Sequence, residues 1–319
     1  MIAIKALSHT YPGTSRQPPR QALAGLDLAV EPGCFAILSG PNGSGKSTLF
    51  RILCGLMRPS QGTIAIGGAD LFADPQRARA QMGVVFQSPA VDKHLSVIEN
   101  LRLQGALYGL SGAAFEERLA EAEGWSAIRE RHRDRVETLS GGLARQLELV
   151  KCLLSRPRLL LLDEPTTGLD PASRKAFLDA LHRLHKTMGL TILMTSHIFA
   201  EAEDADRVAI LKDGRLLAYD HPAALRARLG REMLVIQCAD PQGLGARIRA
   251  EFQPKMMCVH ETELRLEEID PSQSLGLLER ILDRFRPEIA SVAIKPPGLE
   301  DVFIHITGPA GVGPQGDRP

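Results

Sequence analysis

The chain has 319 residues, with 38 Lys and Arg against 38 Asp and Glu. That length suits one large or two ordinary domains, and the zero formal net charge argues against a protein built to coat nucleic acid, so nucleic acid is not an expected partner. Hydrophobic residues are 44% of the chain, as in globular domains, and no apolar run approaches the roughly 20 residues that span a bilayer.

The N-terminus, Met1-Ile2-Ala3-Ile4-Lys5, lacks the charged segment and apolar core of a signal peptide. A cytosolic protein is expected, with any membrane attachment made through a partner. Residues 2–7 read as a strand that ends at Tyr11-Pro12-Gly13, and residues 14–20 as an exposed loop. Residues 26–30 alternate as a second strand, and Glu31-Pro32-Gly33 turns the chain into an apolar run over 34–38. Then comes Gly40-Pro41-Asn42-Gly43-Ser44-Gly45-Lys46-Ser47-Thr48, which fits G-x-x-x-x-G-K-[ST]. Leu49, Ile52, Leu53 and Leu56 follow at helical spacing. Strand, glycine loop and helix in this order make a phosphate site, because backbone N–H groups of the loop and helix start point at one spot. Lys46 can reach the β- and γ-phosphates of a nucleotide, and the Ser47 hydroxyl can ligate Mg²⁺.

Residues 63–66 and 82–86 read as short strands, the second ending at Gln87. An amide there can touch Mg²⁺ or water, or simply cap a loop. Strand signals vanish over residues 88 to about 156, which read as a helical insertion. Its last helix starts after Ser140-Gly141-Gly142 and buries Leu143, Leu147, Val150 and Leu154. Ser140 suits an ordinary N-cap. The same serine and two glycines also form a second anion-seeking helix start.

Four leucines at 159–162 mark a strand covered on both faces. It runs into Asp163 and Glu164. A carboxylate at a strand end can hold Mg²⁺ through water, and its neighbour can orient or deprotonate an attacking water. A solvated acid pair is the plainer alternative. Asp170-Pro171 caps a helix whose buried face is read as Phe177, Leu181, Leu184 and Met188. Residues 190–195 form a strand. His197 lies just beyond it, at the carboxyl end where α/β folds bind ligands. Residues 207–211 and 216–219 form a hairpin about Asp213-Gly214.

The alternation of strands and helices implies a mainly parallel α/β core. From residue 231 the order becomes β-α-β-β-α-β, the ferredoxin-like plan, with a short helix over 299–306. The expected organisation is an α/β domain over 1–230 that carries the phosphate-binding loop, with a helical subdomain about 88–156. A small C-terminal domain follows over 231–307, then a disordered tail over 308–319. The five cysteines, at 34, 54, 152, 238 and 258, are odd in number and show no C-x-x-C spacing. They read as reduced core residues, with no disulfide framework or zinc site.

In order and spacing, residues 1 to about 225 resemble the nucleotide-binding subunit of an ABC transporter. The fold so implied is a P-loop NTPase core with a mainly parallel sheet, an antiparallel β subdomain and a helical insertion. On that resemblance Tyr11 stacks on adenine and residues 40–48 are the Walker A loop. Gln87 is the Q-loop residue, and Leu139-Ser140-Gly141-Gly142 the family signature. Asp163 and Glu164 are the Walker B pair, Gly168-Leu169-Asp170 the D-loop, and His197 the switch histidine. Leu143 stands where the family often has glutamine. The segments Gln87-Ser88-Pro89-Ala90-Val91-Asp92 and Leu299-Glu300-Asp301-Val302-Phe303 are similar to the ATPases of ABC-2 exporters.

The resemblance implies an ATPase using ATP and Mg²⁺, with Glu164, His197, Gln87 and Lys46 catalytic and Ser47, Gln87 and Asp163 at the metal. It implies two partners: a second copy or a homologous ATPase subunit, and a transmembrane permease that holds the chain at the inner face of the membrane. Soluble ABC ATPases that act on ribosomes or DNA are the alternative. They usually carry two cassettes or a long coiled-coil insertion, which this chain lacks.

Overall fold

The computed structural model describes every residue except 14–17, 230–231, 255, 260–261, 269–270 and 308–319. The proposed tail and most of the 14–20 loop therefore lie outside the described residues. The chain divides into two compact units, Met1–Tyr219 and Asp220–Pro319.

The first unit opens with strands β1 (Ile2–Tyr11) and β2 (Arg20–Val30), each longer than the apolar alternation alone indicates. Their register pairs Ile2 with Val30 and Tyr11 with Arg20, so strand pairing continues past the residues that carry hydrophobic signal. β3 (Phe35–Ser39) leads through the glycine loop into α1 (Lys46–Leu53). Gly55 has φ 69°, a left-handed conformation suited to glycine after a helix end. Leu56 therefore lies off the helix and is 66% exposed, contrary to the periodicity.

β4 (Gln61–Ile66), β5 (Ala69–Asp70), α2 (Pro75–Arg79) and β6 (Met82–Val85) follow. The insertion is helical: α3 (Val97–Leu107), α4 (Gly112–Glu123) and α5 (Gly141–Leu153), with 3₁₀ turns at Ala127–Arg131 and Val136–Thr138. Ser96 and Glu99 form a capping box at the start of α3, which satisfies two otherwise orphaned donors. Next come β7 (Leu159–Asp163), α6 (Pro171–Met188), β8 (Thr191–Thr195), α7 (Phe199–Ala202), β9 (Arg207–Lys212) and β10 (Arg215–Asp220). Phe177, Leu181 and Leu184 are buried, but Met188, at the end of α6, is 48% exposed.

The sheet order is β10-β9-β3-β8-β7-β6, and β3, β6, β7, β8 and β9 pair in parallel. A second sheet, β2-β1-β4-β5, is antiparallel. One apolar core joins β1, β2, β3, β4 and α1. All carboxyl ends of the parallel strands therefore face one edge, and that edge carries residues 40, 87, 163 and 196–197. This is the expected α/β P-loop NTPase plan.

The second unit contains α8 (Pro222–Arg226), β11 (Glu232–Cys238), α9 (Pro241–Phe252), β12 (Met256–Val259), β13 (Glu263–Glu268), α10 (Pro271–Phe285), β14 (Ile289–Lys295) and α11 (Leu299–Thr307). Its sheet runs β12-β13-β11-β14 with antiparallel neighbours. Together with the βαββαβ order, this is the ferredoxin-like arrangement. Leu234, Ile236, Leu264 and Leu266 from one sheet face pack with Leu244, Ile248 and Ile281 from the helices.

Candidate functional site

Phe35 to Leu38 are buried on both faces of the sheet, so β3 is a fixed base for the loop that leaves it. Gly45 occupies the N-cap of α1 with φ 107° and offers no side-chain cap. Any Cβ there would come within 2.6 Å of the Ala22 carbonyl oxygen. Only glycine fits, and the first N–H groups of α1 stay available for an anion. Lys46 is buried, and its Nζ donates to the carbonyls of Gly40 at 2.6 Å and Pro41 at 3.1 Å. Burial pushes the Lys46 ammonium below its ordinary pKa, while the charges of Glu164 and Asp163 pull it back up. Ser44 Oγ is buried without a hydrogen-bond partner, an orphan hydroxyl inside the loop. Ser47 is exposed in the first turn. Thr48 Oγ1 lies 3.2 Å from the Tyr11 hydroxyl, and the Tyr11 ring meets His9 edge-on at 4.8 Å. The orphan hydroxyl, the lysine and the open helix start suit a phosphate chain.

β7 delivers the acid pair. Thr195, at the end of the neighbouring β8, donates its hydroxyl to Asp163 Oδ1 at 2.7 Å and accepts the Glu164 N–H at 2.8 Å. Burial pushes the Asp163 carboxyl above the ordinary carboxylate range. The Thr195 hydrogen bond lowers it, and the Glu164 charge raises it further. Glu164 has φ 42°, a left-handed conformation that is rare for non-glycine residues and recurs at functional sites. Its Oε2 lies 3.4 Å from Gln87 Nε2, 3.4 Å from His197 Nδ1 and 3.3 Å from Thr167 Oγ1. Gln87 and His197, read separately in the sequence, thus converge on one carboxylate oxygen together with Thr167, which the sequence did not single out.

The signature residues sit elsewhere. Ser140 caps α5 by accepting the Leu143 N–H at 3.3 Å. Asp170 caps α6 through the N–H groups of Ala172 and Ser173, both at 3.0 Å. A Cβ on Gly142 would come within 2.8 Å of Ser173 Oγ, so the two helix starts approach too closely for any side chain there. Among the described residues, the hydrogen bonds of Ser140 and Asp170 stay within their own helix starts. They do not reach the 40–48 loop.

Several contributors escape sequence reading. Thr195 reads only as a β-former. Arg145 and Glu148, one turn apart on α5, are buried as a pair at 2.7 Å and grip the segment after β6. Arg145 donates to the carbonyls of Phe86, at 2.6 Å, and of Gln87. Glu148 accepts the Ala90 N–H at 2.5 Å, and Lys151 donates to the Ala90 carbonyl at 2.7 Å. The available signal was two opposite charges set among Leu147, Leu149 and Val150 on a buried helix face.

Comparison with known proteins places this geometry. Residues 23–167 match the ABC transporter family model. The daunorubicin/doxorubicin resistance ATP-binding protein DrrA of Streptomyces peucetius is 34% identical over 312 residues, 96% of this chain and 92% of that protein. The chain belongs to the ABC transporter family. It is an ATP-binding subunit and an ATPase of that family. The Nod factor export ATP-binding protein I of Rhizobium johnstonii is 37% identical over 282 residues, 86% of each chain. Among solved structures, an ATP-binding subunit of an ABC transporter superposes with TM-score 0.61 at 32% identity, covering 72% of this chain and 92% of that one. A dimeric ATP-binding cassette in a post-hydrolysis state, bound to ADP and Pi, gives TM-score 0.60 at 26% identity, with coverages of 69% and 98%. The family read from the motifs is the family these comparisons give.

Proposed function

We propose that this ABC ATPase powers export through a separate transmembrane permease, by closing with a second ATPase subunit around two ATP molecules. The convergence of Gln87, His197 and Thr167 on Glu164 Oε2, with Lys46 close enough to feel that charge, carries the proposal. The 40–48 loop and Lys46 bind the β- and γ-phosphates of ATP, and Tyr11 stacks on the adenine. Mg²⁺ fits the hard oxygen donors of Ser47, Gln87 and Asp163. Among the described residues no cluster of three His, Cys, Asp or Glu could hold a metal unaided, which suits an ion that keeps waters and leans on substrate phosphates. Bound there, Mg²⁺ neutralises phosphate charge. Glu164 accepts a proton from the attacking water, and Gln87 and His197 hold its carboxylate in place.

Ser140, Gly141, Gly142 and Asp170 complete the site of the opposing subunit. Among the described residues, the hydrogen bonds of Ser140 and Asp170 stay at their own helix starts and do not reach the chain's own loop, which favours that assignment. A phosphate chain held from both sides favours closure only while ATP is present. The partner is a second copy or a homologous subunit. Relatives named for export and for drug resistance favour export over import. Among the described residues no helix is long and apolar enough to cross a membrane, which fits a peripheral subunit held on the inner face by its permease.

A mixing experiment tests the shared site. Ser140→Arg and Lys46→Ala are each expected to lack turnover alone. Mixed, they form one intact composite site and regain part of the activity. No recovery at any mixing ratio contradicts the composite site.

A further inference from the structure

Glu201, on α7, takes no part in the chemistry described above, yet its side chain is only 1% exposed. Its Oε1 accepts from Thr166 Oγ1 at 2.7 Å and its Oε2 from Ser196 Oγ at 2.6 Å. The nearest cation, Arg174 Nε, is 3.9 Å away, beyond hydrogen-bond reach, and is itself buried without a hydrogen-bond partner. A carboxylate held this way is costly to bury, so its two hydroxyl partners matter.

Thr166 stands two residues after Glu164, and its carbonyl accepts the Leu169 N–H at 3.1 Å. Ser196 stands immediately before His197, and its Oγ also accepts the Ile198 N–H at 2.9 Å. One buried carboxylate therefore ties the segment that carries Glu164 to the segment that carries His197, across 35 and 5 residues of sequence respectively. Glu164 and His197 touch only at 3.4 Å, and His197 is half exposed, so that contact cannot hold its own geometry.

We propose that Glu201 is a positioning residue for ATP hydrolysis, fixing Glu164 against His197 by bridging Thr166 and Ser196. This rests on the assignment of Glu164 and His197 as partners in hydrolysis. Displacement by about 1 Å can cost roughly 10²-fold in rate, and the side-chain partners of Glu201 among the described residues, Thr166, Ser196 and Arg174, are none of those proposed to bind nucleotide. Its loss should therefore appear in kcat and leave ATP affinity alone.

Five variants of the full chain test this by steady-state hydrolysis and equilibrium ATP binding: Glu201→Ala, Glu201→Gln, Thr166→Val, His197→Ala and the double variant Glu201→Ala/His197→Ala. A cavity of about 250 Å³ lined by Arg174, Ile198 and Glu201 leaves water room to replace the carboxylate, and Thr166→Val is isosteric. In Glu201→Ala, kcat should fall about 10- to 100-fold, with the ATP Kd within about threefold of wild type. Thr166→Val should lose about 3- to 10-fold in kcat, and Glu201→Gln, which keeps one acceptor oxygen, should recover most of the rate.

The double variant should be no slower than His197→Ala, within about twofold, because coupled residues are not additive. Additive losses, a parallel loss of ATP affinity, or unchanged kcat in both Glu201→Ala and Thr166→Val overturn the role of Glu201 alone. Normal turnover in His197→Ala overturns the assignment beneath it as well.

Discussion

Thr195→Val perturbs the acid pair without touching either acid. Valine keeps the shape of threonine and its preference for strands, and removes one oxygen. That oxygen donates to Asp163 Oδ1 at 2.7 Å and accepts from the Glu164 N–H at 2.8 Å. A hydrogen bond to a charged group contributes about 1.5–3 kcal/mol, and a buried donor left unsatisfied costs about 1–3 kcal/mol. Asp163 and Glu164 are both only partly buried, so water can replace some of each. A loss of about 2–4 kcal/mol results. For a unit of this size each kcal/mol shifts Tm by about 2–4 °C, so Tm should drop by roughly 4–16 °C. Turnover should fall with it, because Asp163 and Glu164 lose their common anchor. The assay is thermal unfolding without nucleotide beside steady-state phosphate release, with Thr195→Ser as the control that keeps the hydroxyl. If Thr195→Val matches wild type in Tm and kcat, Thr195 is an ordinary strand residue and does not orient the pair.

Lys46→Ala removes the charge proposed to face the phosphates, and ATP affinity should fall about 10- to 100-fold. Isothermal titration checks this, and unchanged affinity would remove Lys46 from the phosphate site. Asp163→Asn should abolish Mg²⁺-dependent hydrolysis yet raise the Tm of the nucleotide-free protein at neutral pH. The sign follows from the raised carboxyl. An acid with a raised folded pKa holds its proton more tightly when folded, so its charge costs stability above that pKa. The cost is relieved as pH falls through the raised value toward the ordinary value of about 3.9. The Tm advantage of the variant should therefore shrink on acidification. A lower Tm, or a difference independent of pH, contradicts the burial cost.

What was legible in the sequence was local. The order of β3, the 40–48 loop and α1 could be read because every residue needed to turn the chain and seat a phosphate lies within one short segment. The four leucines before Asp163 marked β7 because a strand covered on both faces has no polar alternative. Periodicity misleads at helix ends: Leu56 lies past the end of α1 and Met188 is the last residue of α6, and both are exposed. The short elements Ala69–Asp70, Pro75–Arg79 and Phe199–Ala202 hold too few residues to show a period.

In the site, Gln87, Asp163, Glu164 and His197 stand out because each lies at or just past the carboxyl end of a strand at the same edge of the sheet. Thr195, Arg145, Glu148, Thr166 and Glu201 did not stand out. Each has a partner 31 to 59 residues away, so those contacts exist only once the sheet and α5 are assembled. A threonine in a strand and a glutamate on a helix carry no mark of such distant bonds.

Glu164→Gln tests the central claim most directly. Glutamine keeps the shape of the side chain and loses the proposed base, while Lys46, Ser47 and Asp163, the residues proposed to hold ATP and Mg²⁺, stay in place. Turnover should fall by roughly 10²–10⁴-fold, the usual scale for losing a general base. The uncut ATP should hold two subunits together, as an ATP-dependent dimer on size-exclusion chromatography where the wild type elutes mostly as a monomer. Near-normal turnover, with no dimer in the presence of ATP, would contradict the role of Glu164 in hydrolysis.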